Sequence, residues 1–252
     1  MSWKTALITG GSTGIGLELA KALAKRGTKV VICGRRQAQL DEALKEIGEN
    51  GSAIQCDVAD PAAVQRMVDE AHQRLGSLEL VIANAGIGGD KPAARLKIED
   101  IVPMLQINVI GACATITAAI PHLLAQGGGH LVGITSVAGY RGLPTSGAYS
   151  ASKAAFSTFL ESVRVDLFKR KIKVSDVRPG FIETPLTAKN KFPMPFLMPA
   201  DRAAQKILGA LASGRRVYAF PWPMWMLIKV VTMVPGWLYD RLGGSVDFRK
   251  DA

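Results

Sequence analysis

Ser136, Tyr149 and Lys153 are the residues whose types and spacing point most directly to chemistry. Ser136 ends an apolar run, and a Gly- and Pro-rich stretch separates it from Tyr149-Ser-Ala-Ser-Lys153, which reads as the first turn of a helix. Positions i and i+4 share a helix face, so the phenol and the ammonium point the same way. A cation beside a phenol favours the phenolate and lowers a pKa that starts at about 10. A tyrosine so placed serves as a general acid or base near neutral pH. Alone, a Tyr-x-x-x-Lys pair is more often a solvated helix face worth roughly 0.2–0.5 kcal/mol. Its meaning depends on what the rest of the chain builds around it.

The first such element is at the N-terminus. Ala6-Leu-Ile-Thr-Gly10 is a short apolar run entering Gly10-Gly-Ser-Thr-Gly14-Ile-Gly16, followed by Leu17, Leu19, Ala20, Leu23 and Ala24 at helical spacing. A strand, a glycine turn and a helix make a dinucleotide-binding unit, with the pyrophosphate at the positive helix end. The spacing G-x-x-x-G-x-G fits the general G-x-G-x-x-G fingerprint only loosely, and a purely structural turn is the alternative. Lys29–Cys33 reads as the second strand. After it, Gly34 stands where an acid would take the ribose hydroxyls, and Arg35 and Arg36 follow. Two arginines and no acid favour the 2′-phosphate of NADP(H), with NAD(H) as the alternative.

Strand patterns recur over 53–58, 78–82, 130–135, 172–177 and 216–220, separated by helical periodicity over 40–47, 61–75, 99–125, 149–167 and 201–211. That alternation predicts a parallel sheet flanked by helices. Asn84, at the carboxyl edge of a strand, either ties neighbouring strands together or touches a cofactor. Asn108 lies among apolar residues and must be hydrogen-bonded, as a satisfied core amide or as part of a site. His72, His122 and His130 are isolated in the sequence, and structural roles are expected for each.

With 252 residues and 48% hydrophobic content, one domain over 1–252 is expected. Cys33, Cys56 and Cys113 are far apart, which argues against a disulfide framework or a metal cluster and fits a reducing compartment. The N-terminus enters a strand at once, without the pattern of a secretory signal. The formal charge of +10 is scattered, and no recognition motif accompanies it, so long-range steering is preferred to nucleic-acid binding.

Taken together, the motifs resemble those of the short-chain dehydrogenase/reductase family. Thr9–Gly16 (TGGSTGIG), Ala83–Gly86 (ANAG), Asn108, Ser136, Tyr149–Lys153 (YSASK) and Pro179–Thr184 (PGFIET) occur in the family's order over roughly 4–188. The resemblance implies an α/β fold: a single doubly wound Rossmann-like domain, with a mostly parallel seven-stranded sheet and helices on both faces. It implies Tyr149 as proton donor or acceptor, Ser136 bonding the substrate oxygen, Lys153 on the nicotinamide ribose, and Asn108 holding a water in a relay to Lys153. It also places Gly10, Ser12, Thr13, Gly14, Ile15, Gly16, Arg35, Arg36, Asp57, Val58, Asn84, Ala85, Gly86, Pro179, Gly180, Ile182 and Thr184 at the cofactor, with Asp57 and Val58 at the adenine. Many NADP(H)-using relatives carry a basic residue in the glycine loop where this chain has Thr13. Relatives usually pair through the helices containing Asn108 and Tyr149, so a homodimer or homotetramer is expected.

Residues 186–252 form the variable part. Leu186–Pro199 is rich in Phe, Met and Pro and suits a mobile apolar lid over the nicotinamide. Between Pro223 and Pro235 lie eleven residues, about 16 Å of helix, too short for a hydrocarbon core of roughly 30 Å. As a helix it puts Trp225, Lys229 and Thr232 on one side and Met224, Leu227, Ile228, Val231 and Val234 on the other. With Trp222, Trp237, Tyr239 and Arg241 flanking, it suits either a membrane interface through 222–241 or packing on the protein. The functional expectation is an NADP(H)-dependent carbonyl reductase or alcohol dehydrogenase for a lipophilic small molecule, cytoplasmic or peripheral at a membrane. A 3-oxoacyl thioester reductase and a non-catalytic cofactor-binding regulator or scaffold are the other readings.

Overall fold

Apolar runs with no polar alternation cannot face water on either side, and in this chain they form a parallel sheet covered on both faces. The computed structural model describes residues 3–190 and 192–244. Its strands are β1 (Thr5–Thr9), β2 (Lys29–Gly34), β3 (Gly51–Gln55), β4 (Leu80–Ala83), β5 (Gly129–Ile134), β6 (Ile172–Pro179), β7 (Ile182–Glu183), β8 (Met198–Pro199) and β9 (Val217–Phe220). Seven of them build the main sheet in the order β3-β2-β1-β4-β5-β6-β9, every pair parallel. The order reverses between β1 and β4, which opens a crevice at the carboxyl ends of those strands.

Helices α1 (Gly14–Ala24), α2 (Gln37–Ile47) and α3 (Pro61–Leu75) follow the first three strands. After β4 come α4 (Ile98–Leu105) and α5 (Ala112–Ala125), then α6 (Gly147–Asp166), α7 (Ala200–Ala212), α8 (Trp222–Met233) and α9 (Gly236–Gly244). Leu19, Leu23, Leu40, Ile207 and Leu208 from α1, α2 and α7 cover one face of the sheet. Val64, Met67, Ile116, Leu123, Phe156 and Leu160 from α3, α5 and α6 cover the other. The start of α3 shows the local logic: Pro61 stands at its first turn, Asp60 accepts from the Ala62 and Ala63 N–H groups, and Gly76 closes it at φ 74°.

Five details correct the sequence reading. The third strand ends at Gln55, because the Cys56 N–H makes a last bond to Gly34 and the Asp57 carboxylate then accepts from Ala59 in a turn. The helical stretch 98–125 contains a π-helical turn over Gln106–Gly111, and Asn108 sits in it. That stretch is long and apolar enough to span a membrane, yet Ile107, Ile116, Ala119 and Leu123 on it are core residues. The histidines are not isolated: His72 and His122 stack at 4.3 Å, and His122 bonds Asp69 at 2.7 Å, joining α3 to α5. The lid is pinned at its base by the two-residue strands β7 and β8.

The fifth correction concerns α8. Met224 and Ile228 turn inward, but Leu227 is exposed beside Met226, Val230 and Met233. Lys229 does not simply enter solvent, since its ammonium lies 4.8 Å from the centre of the Tyr140 ring. A helix apolar on nearly every side gives little indication of which side faces the protein. Residue 191 of the lid and 245–252 of the C-terminal extension lie outside the described residues.

Candidate active site

The crevice is a cleft of about 270 Å³ running across the ends of β1, β2, β4, β5 and β6. Its first wall is the glycine loop. Gly10 turns at φ 63° and Gly14 at φ 56°, in the left-handed region that side chains disfavour. At Gly16 a Cβ would fall 2.3 Å from the Gly10 carbonyl oxygen and 2.6 Å from Asn84 Nδ2, so the helix start can press against the loop only without a side chain. Asn84 holds this arrangement by donating to the Thr9 and Gly10 carbonyls at 3.0 and 3.1 Å. Thr9 Oγ1 accepts from the Asn84 and Ala85 N–H groups in return. Of the two roles expected for Asn84, strand-tying is therefore present, and the residue also lines the cleft.

The first turn of α1 carries no acid, and the Thr13 side chain makes no capping bond. Its N–H groups therefore present an uncompensated positive end to the cleft, the environment a pyrophosphate needs. Arg35 and Arg36 line the far end. Arg35 is 60% exposed and only 3.9 Å from Asp57, a loose pair that leaves its guanidinium accessible. The donor set thus fits a nicotinamide dinucleotide.

At the other end stand the hydroxyl, phenol and amine. Ser136 follows β5 and opens a tight turn, its Oγ accepting from the Ala138 N–H at 3.1 Å. The same hydroxyl reaches the Pro179 carbonyl at 3.4 Å, and Tyr149 lines the same cleft. Lys153 is buried on α6, donates to the Ile134 carbonyl at 3.0 Å, and has its Nζ 5.7 Å from the centre of the Tyr149 ring. Gly86 makes room for it: a Cβ there would lie 3.4 Å from Nζ and 3.2 Å from Asn108 Oδ1.

The electrostatics depart from the expectation of a depressed phenol. Burial holds the Tyr149 pKa above its ordinary value, the nearby Ser136 hydroxyl works against that, and the Asp90 charge raises it further. Lys153 is itself brought down to about 8, chiefly by burial, with the Asp176 carboxylate working against that. An amine removed from water is a weaker cation, and at this separation it does not overcome desolvation of the phenol. Burial also pushes the Cys33 and Cys56 thiols beside the cleft up to about 12 and about 11, which leaves them unreactive.

Of the residues expected in the site, Gly10, Ser12, Thr13, Gly14, Ile15, Arg35, Arg36, Asp57, Val58, Asn84, Ala85, Gly86, Ser136, Tyr149, Lys153, Pro179, Gly180, Ile182 and Thr184 all line the cleft. Gly16 and Asn108 stand behind it. Asn108 is fully engaged: Oδ1 accepts from the Ile87 N–H at 2.8 Å, while Nδ2 faces the Ile87 carbonyl at 2.9 Å and Ser152 Oγ at 3.0 Å. Gln39, Ile87, Ile107 and Thr187 also line the cleft without having been singled out. Gln39 lies in the first turn of α2, just after Arg35 and Arg36.

The model of the short chain dehydrogenase family matches residues 4–193. The chain belongs to this family. Like other short-chain dehydrogenases it is an oxidoreductase built on a Rossmann-type nucleotide-binding fold. An uncharacterized oxidoreductase of Myxococcus xanthus is 41% identical over 244 residues, covering 95% of this chain and 96% of its own length. That match takes in most of the segment past residue 193. Among solved structures, a short-chain dehydrogenase/reductase from Burkholderia phymatum in complex with NAD superposes with a TM-score of 0.84 over 90% of this chain and 92% of its own. At 23% identity it speaks for the fold alone. A 3-ketoacyl-(acyl-carrier-protein) reductase from Brucella melitensis complexed with NADH is 28% identical, with a TM-score of 0.80 over 86% of this chain and 96% of its own.

Proposed function

We propose that this short-chain dehydrogenase is an NADP(H)-preferring reductase that interconverts a carbonyl and an alcohol on a lipophilic small molecule, within a single domain over 1–252. The observation that carries the reading is the meeting of Ser136, Tyr149 and Lys153 in one cleft, with the buried Lys153 amine 5.7 Å from the centre of the Tyr149 ring. Bound nicotinamide supplies or accepts the hydride. The chain's own residues handle the proton and the oxygen. Tyr149, kept protonated at neutral pH by burial, donates from its hydroxyl to the carbonyl oxygen. Ser136 donates a hydrogen bond to the same oxygen as negative charge develops there. Lys153 stands behind the phenol as the nearby positive charge and is placed to bind the ribose. The Asn108 side chain is spent on Ile87 and Ser152, so a water feeding Lys153 would be held by main-chain groups of the π turn rather than by the amide.

The substrate class rests on what surrounds this end. Leu186, Phe192, Phe196 and Leu197 of the lid are exposed apolar side chains, and Phe192 packs edge-on against Phe181 at 5.9 Å. Beyond them Trp222, Met226, Val230, Met233 and Trp237 present the outer face of α8 and α9, with Met233 82% exposed. Trp at both ends and Lys229 as the sole charge within α8 suit the interface of a bilayer, from which a lipophilic substrate would arrive. The unpaired thiols fit a cytoplasmic protein held peripherally at such a surface. Exposed Ile98, Val102 and Phe168 on or next to α4 and α6 favour a homodimer through those helices. Light scattering of the wild type and of Val102→Asp tests this, and the same monomer mass for both would remove the proposed pairing.

Likeness to the Brucella 3-ketoacyl reductase supports a second reading, reduction of a 3-oxoacyl thioester, with the +10 charge drawing an acidic carrier. NADPH oxidation followed against free long-chain carbonyls and carrier-bound thioesters separates the two. Turnover of the free carbonyls is expected, and turnover of thioesters alone would favour the second. Oxidation with neither would leave a non-catalytic cofactor-binding role, which gives the Ser136–Tyr149 pair nothing to do.

A further inference from the structure

Asp176 is an acid in an unexpected place. It lies within β6, the strand next to the edge strand β9, is 5% exposed, and does not line the cleft. A carboxylate taken out of water at such a position costs several kcal/mol unless donors surround it, and a hydrophobic residue would fill the space more cheaply. Four bonds surround this one. Thr135 Oγ1 donates to Oδ1 at 2.5 Å, Ser157 Oγ donates to Oδ2 at 2.8 Å, and Arg178 reaches Oδ2 through Nε and Nη2, both at 2.7 Å.

The identity of the donors is informative. Thr135 immediately precedes Ser136, and Ser157 is one helical turn beyond Lys153 on α6. One carboxylate therefore bridges the strand end that carries the serine to the helix that carries the phenol and the amine. Its third partner, Arg178, stacks over the Tyr140 ring at 4.4 Å, at the end of the turn that Ser136 opens. We propose that Asp176 is a positioning residue for the reaction, clamping Thr135 to Ser157 so that Ser136, Tyr149 and Lys153 keep their mutual register. This rests on the reading of the site given under Proposed function.

The clamp has an electrostatic consequence. Burial drives Lys153 towards the neutral amine, and Asp176 is the carboxylate that opposes it. Charged groups around Asp176 are Arg178 on its own strand, Glu161 and Arg164 from α6, and Arg216 from the segment entering β9. Arg164 is engaged with Glu161 at 3.3 Å. Lys153 is faced by Tyr149 from its own helix and by the uncharged Ile134 carbonyl from β5 and Asn108 amide from the π turn. Neutralising Asp176 would remove the opposing charge and leave Arg178 uncompensated. Both changes push Lys153 further towards the amine.

The test is Asp176→Asn, with Ser157→Ala as a second variant that leaves the Asp176–Arg178 pair intact. In the cofactor-free protein, NMR titration of the Lys153 side chain should show its midpoint falling by about one pH unit in Asp176→Asn. In the holoenzyme the high-pH loss of carbonyl reduction should move down by a similar amount, with kcat at least about tenfold lower and KM for NADPH within about twofold. Ser157→Ala should lower kcat several-fold without moving the limb. A folded Asp176→Asn with the wild-type Lys153 midpoint and kcat overturns the proposal. If Asp176→Asn does not fold, a Ser157→Ala enzyme with unchanged kcat overturns it instead. Tyr149→Phe run in parallel separates the two levels: inactivity there alongside a wild-type Asp176→Asn sinks only the clamp, whereas an active Tyr149→Phe sinks the reading of the site itself.

Discussion

The Arg141 guanidinium lies 3.8 Å above the centre of the Tyr239 ring, and the Tyr239 hydroxyl donates to the Gly142 carbonyl at 2.7 Å. Arg141 also bonds the Val231 and Val234 carbonyls at the end of α8. A cation thus caps the negative end of one helix while its ring partner on the next helix grips the loop that follows Ser136. The C-terminal helices and the loop after Ser136 are mechanically joined, although they lie far apart in sequence.

Arg141→Ala should therefore loosen the Ser136 loop from outside the cleft. Losing the cap and the stacked pair is expected to cost about 1–2 kcal/mol of stability. Thermal denaturation should show a lowered Tm, and steady-state kinetics a kcat reduced several-fold with NADPH affinity unchanged. Wild-type values for both would mean that the helices merely rest on the loop.

The proposed preference for NADP(H) turns on Arg35. Charge-assisted bonds to a 2′-phosphate are worth about 1.5–3 kcal/mol, so Arg35→Asp should weaken NADPH binding by roughly ten- to a hundredfold and NADH binding far less. Fluorescence titration with each nucleotide measures this. Equal losses for both would remove the preference.

Stability at low pH should depend on His130. It is buried, with Nε2 2.8 Å from Ser175 Oγ, and that hydroxyl donates to the Arg215 carbonyl. Ser175 must then accept from Nε2–H, which leaves Nδ1 as a buried acceptor without a partner among the described residues. Burial brings the histidine down to about 4, assisted by Lys173. The folded state therefore prefers the neutral ring. The resulting stability is fully present above the unfolded value of about 6.5 and is lost as pH falls towards 4, by about 3 kcal/mol in all. Urea unfolding at pH 7 and pH 4.5 should show this loss in the wild type, and a smaller one in His130→Gln.

The proposed membrane docking depends on an outer face that can be changed without touching the core. Val230→Asp with Met233→Asp should abolish co-sedimentation with vesicles containing anionic lipid while leaving the melting curve nearly unchanged. Co-sedimentation equal to that of the wild type would leave α8 as an element that packs on protein only.

The sequence carried most of the scaffold because β1, β2, β4 and β5 are short, mainly apolar segments that alternate with helical periodicity, and because a strand, a glycine turn and a helix follow one another at the start of the chain. It also carried the cleft-lining residues, since motif order places them at the carboxyl ends of successive strands. What escaped it depends on contacts distant in sequence. The π turn at Asn108, the two-residue pairing of β7 with β8, and the His72–His122 stack have no local pattern to announce them. The outward turn of Leu227 escaped because α8 is apolar on almost every side. The pKa of Tyr149 was expected to fall from the spacing to Lys153, but spacing says nothing of burial, and burial prevails.

The most direct measurement compares hydride transfer with cofactor binding in Tyr149→Phe. The substitution removes the hydroxyl proposed as the proton donor while keeping the ring, so NADPH should bind within about twofold of the wild type. Single-turnover reduction of a lipophilic carbonyl should fall by a factor of about a hundred or more. Reduction at the wild-type rate by the phenylalanine variant would contradict the assignment of the reacting proton to Tyr149.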